Sequence, residues 1–185
     1  YGKDFSTVNL FPLGVVDGNY EHNRQPEMSR TKLLIGSVGR LVEFKSYNLW
    51  MLDVVKALKD SGIEASYQVY GDGPLKEQMQ NRINDLGIAE QVHLNGKLNY
   101  SAFGATVGGF DVFVGSGTAI VEAASLGVPS IIGIENEASP LTYGFLSEIP
   151  GFSYNENGLY EKHPVKDLLV DFLALDLNER ITLSH

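Results

Sequence analysis

Asp111-Val112-Phe113-Val114-Gly115-Ser116-Gly117-Thr118-Ala119-Ile120-Val121-Glu122-Ala123-Ala124-Ser125-Leu126-Gly127-Val128-Pro129 reads as a buried strand, a small-residue turn, a helix and the start of another strand. Val112, Phe113 and Val114 form a short apolar run ended by Gly115, the pattern of a strand covered on both faces. Gly115 to Thr118 offers no bulk. Glycine permits a positive φ and close approach by a ligand, Ser116 or Thr118 can cap the helix, and the first-turn N–H groups are expected to point outward. The helix dipole favours negative charge at that end, so the turn suits a phosphate or diphosphate held by main chain. Glu122 lies one turn further in, from where a carboxylate can accept hydrogen bonds from sugar or ribose hydroxyls. Gly127 is expected to end the helix, and Val128 to Ile132 to form the next strand. A Gly-x-Gly turn alone is a weak signal, and most such turns bind nothing.

Outward from this stretch the same plan repeats. Leu33 to Val38 is an apolar run with strand character, followed by the loop Gly39-Arg40-Leu41-Val42-Glu43-Phe44-Lys45. From Tyr47 to Lys59, Leu49, Leu52, Val55 and Leu58 recur at helical spacing and Ser61-Gly62 is a stop. Ala65 to Tyr70 predicts a strand, Gly71-Asp72-Gly73-Pro74 a turn with Pro placed to start a helix, and Leu75 to Leu86 that helix, closed by Gly87. Val92 to Gly96 predicts a third short strand, on which His93 alternates with apolar neighbours and reads as a strand-face residue. Tyr100 to Val107 predicts a weak helix. Beyond Ile134, Glu135 and Glu137 lie in a polar loop and read as solvated. Phe152-Ser153-Tyr154 predicts a last strand, and Pro164 to Leu175 a helix with Val165, Leu168, Leu169, Phe172 and Leu173 inward. Alternating strands and helices predict an α/β domain, a Rossmann-like doubly wound parallel sheet with right-handed crossovers. In such sheets ligands sit outside the carboxyl ends of the strands where strand order reverses, and Arg40, Gly71, Lys97 and Gly115 to Thr118 all follow strand ends.

Composition limits the function classes. The 185 residues carry 23 acidic and 14 basic side chains, a formal net charge of −9, which argues against a nucleic-acid or anionic-membrane surface as main partner. Without cysteine there are no disulfides, no thiolate metal site and no thiol nucleophile. No metal cluster stands out, and no apolar run approaches the ~20 residues that span a bilayer. Residues 1–31 read as an extended segment, Leu10 to Val16, and a polar linker, Asp17 to Arg30; residues 32–185 read as the α/β domain. Both ends lack a natural stop, so the expectation is a fragment of a larger protein.

Four motifs in order now carry a resemblance: Gly39-Arg40-Leu41 with Lys45, Val69 to Pro74, Val92 to Gly96, and Asp111 to Pro129 with Glu122-Ala123. Together they resemble the nucleotide-sugar-binding C-terminal domain of B-fold glycosyltransferases, closest to the large retaining group that includes sucrose synthase and bacterial polysaccharide transferases. The likeness runs from residue 32 to about 175. It implies that Arg40 and Lys45 grip the donor diphosphate and help the nucleotide leave. Gly39 is among the donor-binding residues, Gly71 gives clearance, Asp72 caps the following helix, and Lys97 and Leu98 hold the base mainly through main chain. Gly115, Ser116, Gly117 and Thr118 form the phosphate turn, and Glu122 reads ribose hydroxyls. The implied substrate is a nucleotide-diphosphate sugar, with no cofactor and no metal. The implied partner is an N-terminal acceptor domain absent from this chain, which would also make any membrane contact. The implied setting is cytoplasmic, in polysaccharide, lipopolysaccharide or glycolipid synthesis.

The sequence departs from that pattern in two places. The family's first glutamate falls eight residues before Glu122, at Val114, and the shortened loop is more similar to the sister group of peptidoglycan transferase and non-hydrolysing epimerases. Ser46 follows Lys45 where glycine is usual. A nucleotide-sugar epimerase and a non-catalytic nucleotide-binding relative are therefore the alternatives. Gly39-Arg40-Leu41 with Lys45 favours transfer. The cleft near Arg40, Ser116 and Glu122 is expected to stand open.

Overall fold

In the computed structural model, which describes residues 32–151 and 153–183, five parallel strands form a single sheet. They are β1 (Leu33–Val38), β2 (Ala65–Tyr70), β3 (Val92–Gly96), β4 (Val112–Gly115) and β5 (Ser130–Ile132), in spatial order β3-β2-β1-β4-β5. β1 pairs with β2 from Leu33↔Ala65 to Val38↔Tyr70 and with β4 through Ile35↔Val112 and Gly36↔Phe113. The order reverses between β1 and β4. The crevice for a ligand is therefore set outside Val38 and Gly115.

Alternation along the strands sorts the core into two layers. Ile35, Val112, Val114 and Ile131 pack to one side with α1 (Tyr47–Asp60), α2 (Leu75–Leu86) and α5 (Val165–Ala174). Phe113 and Ile132 face the other side, joined by Phe103 and Val107 of α3 (Phe103–Val107) and Ile120 and Ala123 of α4 (Thr118–Ser125). A sheet covered on both faces explains why its strands are apolar runs rather than alternating ones. α1 is buried on more than one stripe. Trp50, Met51 and Val54 join Leu52, Val55 and Leu58 in the core while Leu49 is only half-buried, because the helix packs against the sheet, α2 and α5 at once.

The predicted order of elements is observed from β1 to β5, and β5 starts two residues later than the apolar run. His93 is exposed on β3, as a strand-face residue. Of the strand expected at Phe152 to Tyr154, none forms at Ser153 and Tyr154, and Phe152 lies outside the described residues. Ser153 and Tyr154 are irregular, and the Tyr154 hydroxyl donates to the Gly117 carbonyl at 3.0 Å, so the segment serves the central turn instead of a ladder. A two-residue antiparallel pair, β6 (Leu141–Thr142) with β7 (His163–Pro164), closes the stretch between β5 and α5. A short helix, α6 (Leu177–Thr182), follows, with Asp176 and Glu179 in a reciprocal capping box. The expectations for residues 1–31, including Leu10 to Val16 and Asp17 to Arg30, lie outside the described residues.

Candidate functional site

On the β1–β2–β3 side, main chain joins the strand-end loops. The Gly39 N–H donates to the Tyr70 carbonyl at 2.9 Å, Leu41 to Asp72 at 3.1 Å, Gly71 to Gly96 at 2.7 Å and Leu75 back to Leu41 at 3.1 Å. The backbones run so close that a Cβ on Gly71 would lie 1.9 Å from the Gly39 oxygen. Only glycine fits there. The laced loops leave a groove of about 590 Å³ lined by Val38, Gly39, Arg40, Tyr70, Gly71, Asp72, Gly73, Lys97 and Leu98. Five of the predicted residues, Gly39, Arg40, Gly71, Lys97 and Leu98, thus share one concavity, with Arg40 exposed at its edge. Asp72 does not cap α2, whose N-cap is Pro74 with no side-chain cap. Its carboxylate accepts from the Gly73 N–H at 3.0 Å and stands 3.8 Å from the Lys97 ammonium, both side chains exposed. The carboxylate is turned onto the adjacent Gly73 N–H, and Pro74 at the N-cap position has no side-chain cap to offer.

Lys45 links this groove to the central turn. A Cβ on Gly39 would lie 3.4 Å from its Nζ. Burial holds the Lys45 ammonium below the usual lysine range; the Glu135 carboxylate offsets part of that effect and the Arg40 guanidinium adds to it. Ser46, next in the chain, does not cap α1. Its hydroxyl donates to the Glu137 carbonyl at 2.6 Å, tying the Lys45 loop to the segment after β5.

On the β4–β5 side, side chains hold the turn. Gly117 is the N-cap of α4 with φ 65°, a left-handed conformation that glycine adopts without strain. Neither Ser116 nor Thr118 caps, contrary to expectation. The Ser116 hydroxyl donates to Glu135 Oε1 at 3.1 Å, and the Gly117 N–H, expected to face a ligand, donates to Asn155 Oδ1 at 3.0 Å. The Tyr47 hydroxyl bonds Ser116; burial pushes its pKa up to about 12, offset in part by that bond. Its ring lies so close to Gly133 that a Cβ there would sit 2.4 Å away. The expected open cleft is therefore closed at this end. Ser116 is 1 % and Glu122 7 % exposed, because the segments at 133–137 and 153–157 fold over the turn.

The two acids read as solvated are not. Glu137 is buried and pairs with Lys162, accepts from the Ser139 N–H at 3.1 Å, and is reached by Asn157 at 3.3 Å. The Lys162 hydrogen bond is the main cause that holds its carboxyl below the usual range, against an opposing burial effect. Glu135 is half-buried; its own N–H donates to the Asn155 carbonyl at 2.8 Å. Asn155, Tyr154, Tyr47 and Glu135 were not legible as site residues, since what marks them is where a non-periodic segment returns in space. Among the described residues no group of three metal-ligating side chains is gathered, and no helix is long and apolar enough to cross a membrane.

Residues 19–137, more than half of the chain, match the family described as glycosyl transferases group 1. No curated protein matches the chain in sequence. Among solved structures, the C-terminal domain of the group 1 glycosyl transferase LpcC from Francisella tularensis aligns over 92 % of this chain and 93 % of that one, at 19 % identity and TM-score 0.61. The catalytic domain of a cholesterol-α-glucosyltransferase from Helicobacter pylori aligns over 83 % and 93 %, at 16 % identity and TM-score 0.60. TarM of S. aureus, solved with fondaparinux, α-GlcNAc-glycerol and UDP, aligns over 89 % of this chain at 20 % identity and TM-score 0.58. The chain spans about a third of TarM's length, 32 %.

Proposed function

The chain belongs to the glycosyl transferases group 1 and shares its fold with the C-terminal domain of one of them, and from that premise we propose that it binds the nucleotide-diphosphate sugar of an enzyme making glycoconjugates. One observation carries the reading. Gly39, Arg40, Gly71, Lys97 and Leu98 line a single groove at the carboxyl ends of β1, β2 and β3, with Lys45 beside it.

The chemistry follows from the charges. A sugar–phosphate bond that breaks leaves negative charge on the departing diphosphate. Two cations already placed there, Arg40 exposed and Lys45 partly desolvated, interact more strongly with that charge than with the intact donor. The groove walls formed by Gly71, Lys97 and Leu98 offer main chain to the base. A guanidinium forms two parallel bonds to phosphate oxygens, which fixes the leaving group in orientation as well as charge. The acceptor, and a base for its hydroxyl, are assigned to a partner domain closing over the groove. Closure of that kind excludes water and completes the site.

Calorimetry of the chain with UDP, GDP and ADP, each alone and as its glucose conjugate, tests the reading. Saturable binding of one diphosphate, weakened in Arg40→Ala, supports it; binding of none overturns it.

A further inference from the structure

We propose that Glu135 is the carboxylate of this site that reads hydroxyls of the transferred sugar, a role that rests on the donor-binding function above. Val114, the last residue of β4 before Gly115, is fully buried in the sheet. It has no polar group to offer. Its register partner on β5 is Ile131, and three residues past the end of β5 the chain brings Glu135 to the same turn. There Glu135 Oε1 accepts from the Ser116 hydroxyl at 3.1 Å, and the carboxylate lies near enough to Lys45 to act on its charge.

The placement is held from both sides. The Glu135 N–H is bound by the Asn155 carbonyl at 2.8 Å. The next residue, Asn136, stands at φ 56° with its N–H on the Phe44 carbonyl at 2.7 Å, one residue before Lys45. A non-glycine residue in the left-handed region is disfavoured and persists where its surroundings fix it. Glu135 is thus pinned between the Lys45 loop and the segment that holds Gly117, yet remains half-buried and reachable.

Its charge decides what it can touch. A carboxylate accepts at about four lone-pair sites, and Ser116 fills one. A diphosphate repels it, so the phosphates settle on Arg40 and Lys45, and the carboxylate is left for groups that donate. The part of a nucleotide sugar rich in donors and free of charge is the sugar. Glu135 is accordingly a specificity residue for the donor's hexose rather than a proton-transfer group.

The test is calorimetry of wild type and Glu135→Gln with UDP, GDP and ADP and their glucose conjugates, with thermal melting to confirm that the variant folds. The expected result is that Glu135→Gln binds the bare diphosphate as well as wild type or up to threefold tighter, while the conjugate weakens at least tenfold. Equal tightening of both ligands would make Glu135 only a negative charge near the phosphates and would overturn the inference. So would no change in either, or equal weakening of both, which are the marks of a structural role. If wild type binds no diphosphate, the donor-binding reading itself fails, and that result is distinct from all the others.

Discussion

The two halves of the site are built by different means. On the β1–β2–β3 side, glycines let strand-end loops touch, main-chain bonds from Gly39, Leu41, Gly71 and Leu75 hold them, and a groove stays open. On the β4–β5 side, the turn at Gly115 to Thr118 is held by the side chains of Tyr47, Glu135, Tyr154 and Asn155, and it is closed. The first half is a shape made by backbone. The second is a polar network, which a single side-chain change can rearrange, and in which the Ser116 hydroxyl and the Gly117 N–H are already satisfied.

The sharpest way to break the contrast is Gly71→Ala. The new Cβ must push the Gly39 carbonyl away, so loss of about 3 kcal/mol of stability, with loss of nucleotide binding, is expected in urea unfolding and calorimetry. Glu137→Gln tests the other half. The buried side chain (9 % exposed) loses its charge beside Lys162, whose own exposure of 25 % lets water relieve part of the cost, and about 2 kcal/mol should be lost at neutral pH. The sign of its pH dependence is fixed by the depressed Glu137 carboxyl. Wild type's advantage is complete above the ordinary carboxylate range and disappears as pH falls through the folded-state value. A constant difference across acid pH would contradict the ion-pair account.

The same contrast explains what could be read in advance. The strands, α1, α2, α4 and the strand-end residues Arg40, Gly71 and Lys97 were legible because they depend on local apolar runs, helical spacing and Gly-Asp-Gly-Pro or Gly-x-Gly punctuation, while Leu98 was reached only through the family resemblance. The wiring of the β4–β5 half was not. Glu135 and Glu137 sit in a polar stretch without period, and burial of a carboxylate there depends on Lys162 and Asn155, which are distant in sequence and unmarked. The strand expected at Phe152 to Tyr154 is absent at Ser153 and Tyr154 for the same reason. Its aromatic composition fits a strand, but Tyr154 is used for its hydroxyl on Gly117.

Arg40→Ala addresses the open half by function. Arg40 is exposed, so stability should hold, while nucleotide affinity falls by about 2 kcal/mol, the loss of a charge-assisted bond. Lys45 supplies a pH readout. A bound diphosphate favours its ammonium, and the free protein disfavours it through burial, so binding takes up a proton above the depressed free-state pKa. Affinity should be flat below that value and weaken above it by up to about tenfold per pH unit, and Lys45→Arg should remove the dependence. The smallest effect belongs to Asp72→Asn. Its pair with Lys97 is exposed on both sides, and calorimetry and unfolding should each move by about 0.5 kcal/mol or less.

The central claim is that one ligand bridges the two halves, and amide chemical shifts during titration with UDP, GDP and ADP test it most directly. With the diphosphate that binds, the account predicts that Gly39, Arg40, Gly71 and Lys97 shift together with Ser116, Gly117 and Thr118 along one saturation curve. Shifts confined to one half, or gathered in the hollow between α1 and α2 around Asp53 and Arg82, would contradict it.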